Sequence, residues 1–145
     1  MSWVRGNFEH LQSLDMPTTE NDIRDTLEDS EEMNEWLYRW SRTLLIDDHP
    51  IAVVGIEPQW AGVGKAWTYL TLESLKHTIG ITRSMLKLLT WIEKDEDMHR
   101  IEASVDKKNK VAIRWIKYLG FKYEGDMPNY GLGGVGTFAR FARLN

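Results

Sequence analysis

Glu73 and Glu102 are the carboxylates whose surroundings could put them to chemical use. Glu73 closes an alternating stretch that begins at Lys65, and Glu102 lies inside another, between Ile101 and Ala103. A carboxylate fixed at either place can take a proton from an ammonium group, directly or through one water. Each has a plainer reading: Glu73 as a strand-end residue, Glu102 as a solvated side chain. Between them, Ser74-Leu-Lys-His-Thr-Ile-Gly-Ile-Thr82 leads into a long helix. Amides at a helix N-terminus point at an incoming anion, and the dipole adds to the attraction. Thr78 and Thr82 could add hydroxyls. The alternative is an ordinary helix start with Gly80 in its first turn, which costs only about 1 kcal/mol relative to Ala. Asn109 precedes an apolar-periodic run, where its side-chain oxygen suits an N-cap; a ligand contact is the other use for it.

Other chemistries find no support. The chain has no cysteine, so it has no disulfide, thiolate ligand or thiol nucleophile. His10, His49, His77 and His99 lack metal-ligand spacing, and no metal site is expected. Ser74 and Ser104 lack a nucleophile-elbow context. The glycines at 131, 133, 134 and 136 do not follow a strand and open a helix, so they are no dinucleotide fingerprint. A net charge of −4 argues against a general nucleic-acid binder. No apolar run approaches the ~20 residues of a membrane span, and the opening MSWVRGNFEH lacks a signal-peptide core. The expectation is a cytoplasmic protein, or one packaged from a cytoplasm into a virion.

The elements that must position these residues follow from periodicity. Phe8 to Leu14 reads as a first strand and Asp15 to Thr19 as a turn. Thr19 caps a short helix through about Leu27, and Ser30 caps a second, with Met33, Trp36, Leu37 and Trp40 on its apolar face. Thr43 to Asp47 and Ile51 to Glu57 read as strands around Asp47-Asp48-His49-Pro50. Pro58 to Gly64 reads as a loop and Lys65 to Glu73 as a fourth strand. Ile81, Met85, Leu88, Leu89 and Ile92 stripe a long helix that ends near Asp95. Ile101, Ala103 and Val105 alternate with Glu102 and Ser104. Ala112, Trp115, Ile116 and Leu119 mark one face of a helix between Asn109 and Gly120. Asn129 to Gly136 is a loop and Thr137 to Leu144 a last strand. Trp36, Trp40, Trp67 and Trp115 fall on expected core faces.

Asn109-Lys-Val-Ala-Ile-Arg-Trp-Ile-Lys-Tyr-Leu-Gly-Phe121, continued by Glu124-Gly125, resembles the late strand-helix signature of the GNAT superfamily of acyl-CoA-dependent N-acetyltransferases. Trp67 to Leu72 and Phe138-Ala-Arg-Phe141 are similar to a narrower group, the GNAT-like proteins of tailed bacteriophages, including an internal virion protein. The resemblance and the element order imply an α/β (α+β) fold in one domain over residues 1–145. Its sheet would be mixed and mostly antiparallel, with about seven strands and about four helices on both faces.

The resemblance also implies a cofactor and site residues. His77-Thr78-Ile79-Gly80-Ile81-Thr82 aligns with the loop that cradles the pyrophosphate of acetyl-CoA. It departs from the pattern: His77 replaces Arg or Gln, and Thr82 replaces a small residue. Asn109 joins that cofactor-binding set. A backbone amide of Thr71 or Leu72 would stabilise the oxyanion, and Glu73 or Glu102 would take the amine's proton. The tyrosine that many members place in the late helix aligns with Ile116, and Tyr118 points elsewhere. The function implied is transfer of an acetyl group to an amine acceptor, such as a protein lysine or N-terminus. The acidic run between Asp15 and Glu35 would favour a cationic acceptor. The alternative is a catalytically inactive bacteriophage protein with a structural or protein-binding role. A protein partner or a homodimer fits either.

Overall fold

The computed structural model describes residues 2–14 and 28–145. The turn at 15–19 and the short helix through residue 27 lie outside the described residues. The chain divides into two compact units, Met1–Glu57 with Trp67–Ser84, and Pro58–Ala66 with Met85–Asn145. Seven strands form one sheet in the order β1-β2-β3-β4-β5-β7-β6.

In the first unit β1 (Ser2–Arg5) pairs antiparallel with β2 (Ser41–Ile46), which pairs antiparallel with β3 (His49–Trp60). Asp47 and Asp48 turn that hairpin at φ 48° and 64°, the left-handed pair that a two-residue turn of this hand demands. The expected strand from Phe8 to Leu14 is instead helix α1 (Phe8–Gln12). Asn7 accepts from the His10 amide at 2.9 Å and starts it. Phe8, Leu11 and Leu14 recur every third residue and are all buried, a helical period that a strand could not bury on one face. Helix α2 (Glu31–Trp40) begins as expected, with Ser30 Oγ accepting from the Met33 amide at 3.0 Å. Leu37 and Val53 close a core with Phe8, Leu11 and Leu14, and Met33, Trp36, Trp67 and Tyr69 pack at its margin.

The expected loop at 58–64 is shorter. β3 continues through Pro58 to Trp60, and β4 (Val63–Leu70) starts after Ala61-Gly62. Gly62 turns the chain at φ 81°, so two residues suffice and Pro58 removes one donor without ending the strand.

In the second unit β5 (Arg100–Asp106) runs parallel to β4 over three pairs, Val63↔Arg100 to Lys65↔Glu102. β7 (Thr137–Leu144) lies antiparallel on β5, and β6 (Lys122–Pro128) antiparallel on β7. Helix α3 (Thr78–Asp95), which the division between the units cuts after Ser84, buries the whole expected stripe from Ile81 to Ile92. Near its C-terminal end the buried Glu93 receives Arg143 Nε at 2.5 Å, while Arg143 Nη1 donates to the Leu119 carbonyl at 2.8 Å. Helix α4 (Lys110–Tyr118) starts at Asn109, whose Oδ1 accepts from the Ala112 amide at 3.0 Å. It stops at Gly120, φ 91°, before the buried Phe121. No described helix is long and apolar enough to cross a membrane. Among the described residues no three His, Asp or Glu side chains gather to hold a metal ion.

Candidate functional site

The end of β4 is tied down before helix α3 begins. Buried Thr71 donates twice to the Ile51 carbonyl, from its amide at 3.2 Å and its hydroxyl at 2.6 Å. Ser74 Oγ then donates to the Thr71 carbonyl at 2.5 Å, and the Ser74 amide to the same carbonyl at 3.1 Å. Leu72 lies between these two anchors, at φ −59° and ψ −35°, 74% exposed. The two amides named from the sequence therefore differ. That of Thr71 is engaged by the sheet; that of Leu72 makes no hydrogen bond among the described residues.

Ser74 to Thr82 is less of a loop than the glycine suggests. Glu73–His77 form a 3-10 turn that runs directly into α3 at Thr78. The Leu75 amide bonds back to the Leu72 carbonyl at 3.2 Å. Both threonine hydroxyls already donate to backbone, Thr78 to the Leu75 carbonyl at 2.8 Å and Thr82 to the Thr78 carbonyl at 2.6 Å. A helical Thr commonly makes this return bond. Neither hydroxyl is left to donate to a phosphate in this arrangement.

Of the remaining loop positions, Ile81 is buried in the core, Ile79 is 73% exposed, and His77 and Gly80 are partly exposed. The first turn of α3 carries no acidic residue, and Lys76 and Arg83 beside it are exposed. That charge pattern suits an anion, since the dipole and the side chains attract in the same sense. Glu73 opens the 3-10 turn, exposed to water.

Glu102 and Asn109 belong to the second unit. Glu102 is not simply solvated: Arg100 Nε donates to its carboxylate at 2.8 Å. The same guanidinium pairs with Glu124, on which Arg140 also bears at 3.7 Å. Arg100 titrates above its ordinary value because Glu124, then Glu102, hydrogen-bond to it, and Glu124 titrates below its own because of Arg100. Asn109 performs the cap described above, so its oxygen is engaged. Ile116 is buried and Tyr118 is 72% exposed, as their helical phases require.

Tyr130 had no signal in the sequence beyond a ring in a glycine-rich loop. Its hydroxyl accepts from Lys65 Nζ at 2.7 Å, and its ring packs on Phe138 at 5.3 Å. The ammonium of Lys65, and then a hydrogen bond with Ser104, lower the phenol's pKa. The alternation of β5 places Glu102 and Ser104 on one face, but nothing local says that a residue 26 positions after Ser104 returns to it.

A family model described as Acetyltransferase (GNAT) family matches residues 7–121. No curated protein sequence matches. Among solved structures, a GNAT-family acetyltransferase from Streptococcus pneumoniae is 15% identical, with 99% of this chain and 98% of that chain covered and a TM-score of 0.77. A ribosomal-protein-alanine N-acetyltransferase from Brucella melitensis is 14% identical over all of both chains, with a TM-score of 0.76. A variant spermidine N-acetyltransferase from Vibrio cholerae is 13% identical, with 99% and 95% covered and a TM-score of 0.69. At these identities the likeness is one of fold.

Proposed function

We propose a function for this chain from one premise: it belongs to the acetyltransferase (GNAT) family. It acts as a single acyltransferase domain that moves an acetyl group from acetyl-CoA to an amine acceptor. The observation that carries this is the junction between β4 and α3, with the unengaged amide of an exposed residue, Leu72, ahead of a helix start free of acidic residues.

Acetyl-CoA would supply the thioester carbonyl and a thiolate leaving group. The residues of the junction fit it in part. Lys76, His77 and Arg83, with the dipole of α3, favour its pyrophosphate. The hydroxyls of Thr78 and Thr82 do not fit as donors, because they bond to backbone. The Leu72 amide donates where negative charge develops on the carbonyl oxygen, and the doubly bonded Thr71 holds it there. Glu73, exposed beside that amide, takes the proton of the attacking amine. Glu102, in the second unit, is the other candidate base. Asn109 stands as a further candidate for cofactor binding, its Oδ1 already accepting from the Ala112 amide.

The amine acceptors named for the solved neighbours, spermidine and a ribosomal-protein alanine, support an amine here, whether a free amine, a protein lysine or an N-terminus. The second reading is a catalytically silent member with a virion-associated or other protein-binding role. What favours it is the 3-10 turn at Glu73–His77, together with the two engaged threonines, where an open loop was expected.

Calorimetric titration of acetyl-CoA, with CoA as the control, tests the first reading. Micromolar binding supports it, and Glu73→Gln should then slow acetyl transfer while leaving that binding intact. No heat up to millimolar ligand would sink it in favour of the second.

A further inference from the structure

Three rings of the first unit make a continuous aromatic surface. Trp36 of α2 and Trp67 of β4 lie nearly parallel, centroids 6.0 Å apart and planes 13° apart. Tyr69, two residues along β4, tilts against Trp67 at 5.6 Å. All three are partly exposed at the margin of the core. The surface is built close to the sheet: a Cβ at Gly55 would fall 2.6 Å from Trp67 Cε2. Only glycine there lets the indole lie down.

The rings around this surface already hold cations. The Arg39 guanidinium lies 4.8 Å from the Trp40 centroid, and that of Arg5 lies 5.2 Å from the Tyr38 centroid. Among the described residues, no cation lies over Trp36 or Trp67. The charge beside them is of the opposite sign. Residues 28 to 40 carry five acids, Glu28, Asp29, Glu31, Glu32 and Glu35, against one base, Arg39. All five are exposed. Glu32 is one turn before Trp36 and shares its side of the helix. A phosphate-bearing ligand would be repelled here, and an uncharged apolar one would gain nothing from the carboxylates. A ligand with a methylene chain and an ammonium group would use both, since rings attract a cation through their faces and bury its stem.

We propose that Trp36, Trp67 and Tyr69 form a ledge that binds an alkylammonium chain, its methylenes across the rings and its charge toward Glu32. Naming that ligand the acetyl acceptor rests on the acyltransferase reading; the binding itself does not. The chain could come from a free diamine or from a lysine side chain.

The test is titration of the whole protein, followed by tryptophan fluorescence at low salt, with butane-1,4-diamine, with Nα-acetyl-lysine methylamide, and with butane-1,4-diol as the uncharged match. Saturation by either amine and none by the diol supports the ledge. Which amine binds more tightly tells the free chain from the lysine. Trp36→Leu should then weaken binding about tenfold or more, and the surface change Glu32→Gln about threefold. Glu32→Gln keeps the test open if Trp36→Leu fails to fold. No saturable response to either amine, an equal response to the diol, or unchanged affinity in Glu32→Gln overturns the proposal. Acetyl-CoA binding without any amine response would overturn the ledge and leave the acyltransferase reading standing. An amine response without acetyl-CoA binding would do the reverse.

Discussion

Helix α3 has two unlike ends. At Asp95 the chain completes its own bonding: Ile92 and Leu89 are fully buried, and Glu93 is held by an arginine that also reaches the Leu119 carbonyl. At Thr78 the helix is entered directly from a 3-10 turn. The 3-10 turn before it begins at an exposed Leu72, and Leu75 and Ile79 are exposed as well. Helices α1, α2 and α4 are each started by a side chain, Asn7, Ser30 and Asn109. One end of α3 is therefore expected to govern stability and the other ligand binding.

The largest effect should come from the closed end. Arg143→Met strands the buried Glu93 carboxylate and should cost about 3–5 kcal/mol, since an uncompensated buried charge is expensive. Adding Glu93→Leu should recover much of that loss in denaturant titrations. No recovery would mean the pair's geometry, rather than its charge, supports this end. At the open end, Leu72→Pro removes the amide while keeping a backbone angle that proline adopts, φ −59°. Acetyl transfer should fall about 100-fold or more, on the scale of a lost oxyanion donor. Unchanged melting temperature and near-normal acetyl-CoA binding would complete the contrast; unchanged activity would remove Leu72 from the site.

Smaller changes sharpen the division. Asn109→Ala removes a cap and should cost about 1 kcal/mol. Asn109→Ser should restore most of it, and if Asn109 acts only as a cap neither variant alters acetyl-CoA affinity. The smallest effect concerns pH. Burial lowers the pKa of His10 below its ordinary 6.5, with Glu9 opposing the shift, and its Nδ1 lies 2.8 Å from Thr43 Oγ1. The unfolded chain then binds a proton more readily than the folded one. This contribution is complete above pH 6.5 and is lost as pH falls below that value. His10→Gln should flatten this part of the stability profile, and an unaltered slope would assign it to other groups.

Much of the chain from Ile81 onward was legible in the sequence because its periods are long and its punctuation is local. The stripe from Ile81 to Ile92, the cap at Asn109 and the stop at Gly120 each fall where spacing placed them. Phe8 to Leu14 was too short for its period to be decided by the imperfect alternation at His10 and Gln12. There the cap at Asn7 settles the matter, and a three-residue recurrence of Phe and Leu was the available clue. The candidate site was legible in position more than in state. Residues 71 to 82 are contiguous, so their neighbourhood follows from the chain itself. What spacing does not reveal is how a hydroxyl or carboxylate is engaged. The return bonds of Thr78 and Thr82, the grip of Arg100 on Glu102 and the reach of Lys65 to Tyr130 are tertiary facts, decided by backbone paths that converge from distant residues.

The last strand in the sheet order is β6, and its composition has a consequence for the protein at high concentration. Lys122, Glu124 and Asp126 stand on it, Pro128 ends it, and its pairing with β7 shifts register between Tyr123 and Gly125. An open strand edge is a template on which a second chain can add a strand, and charges, proline and an irregular ladder each spoil that template. Crowding should therefore lead this chain to remain dispersed rather than to grow fibrils through that edge.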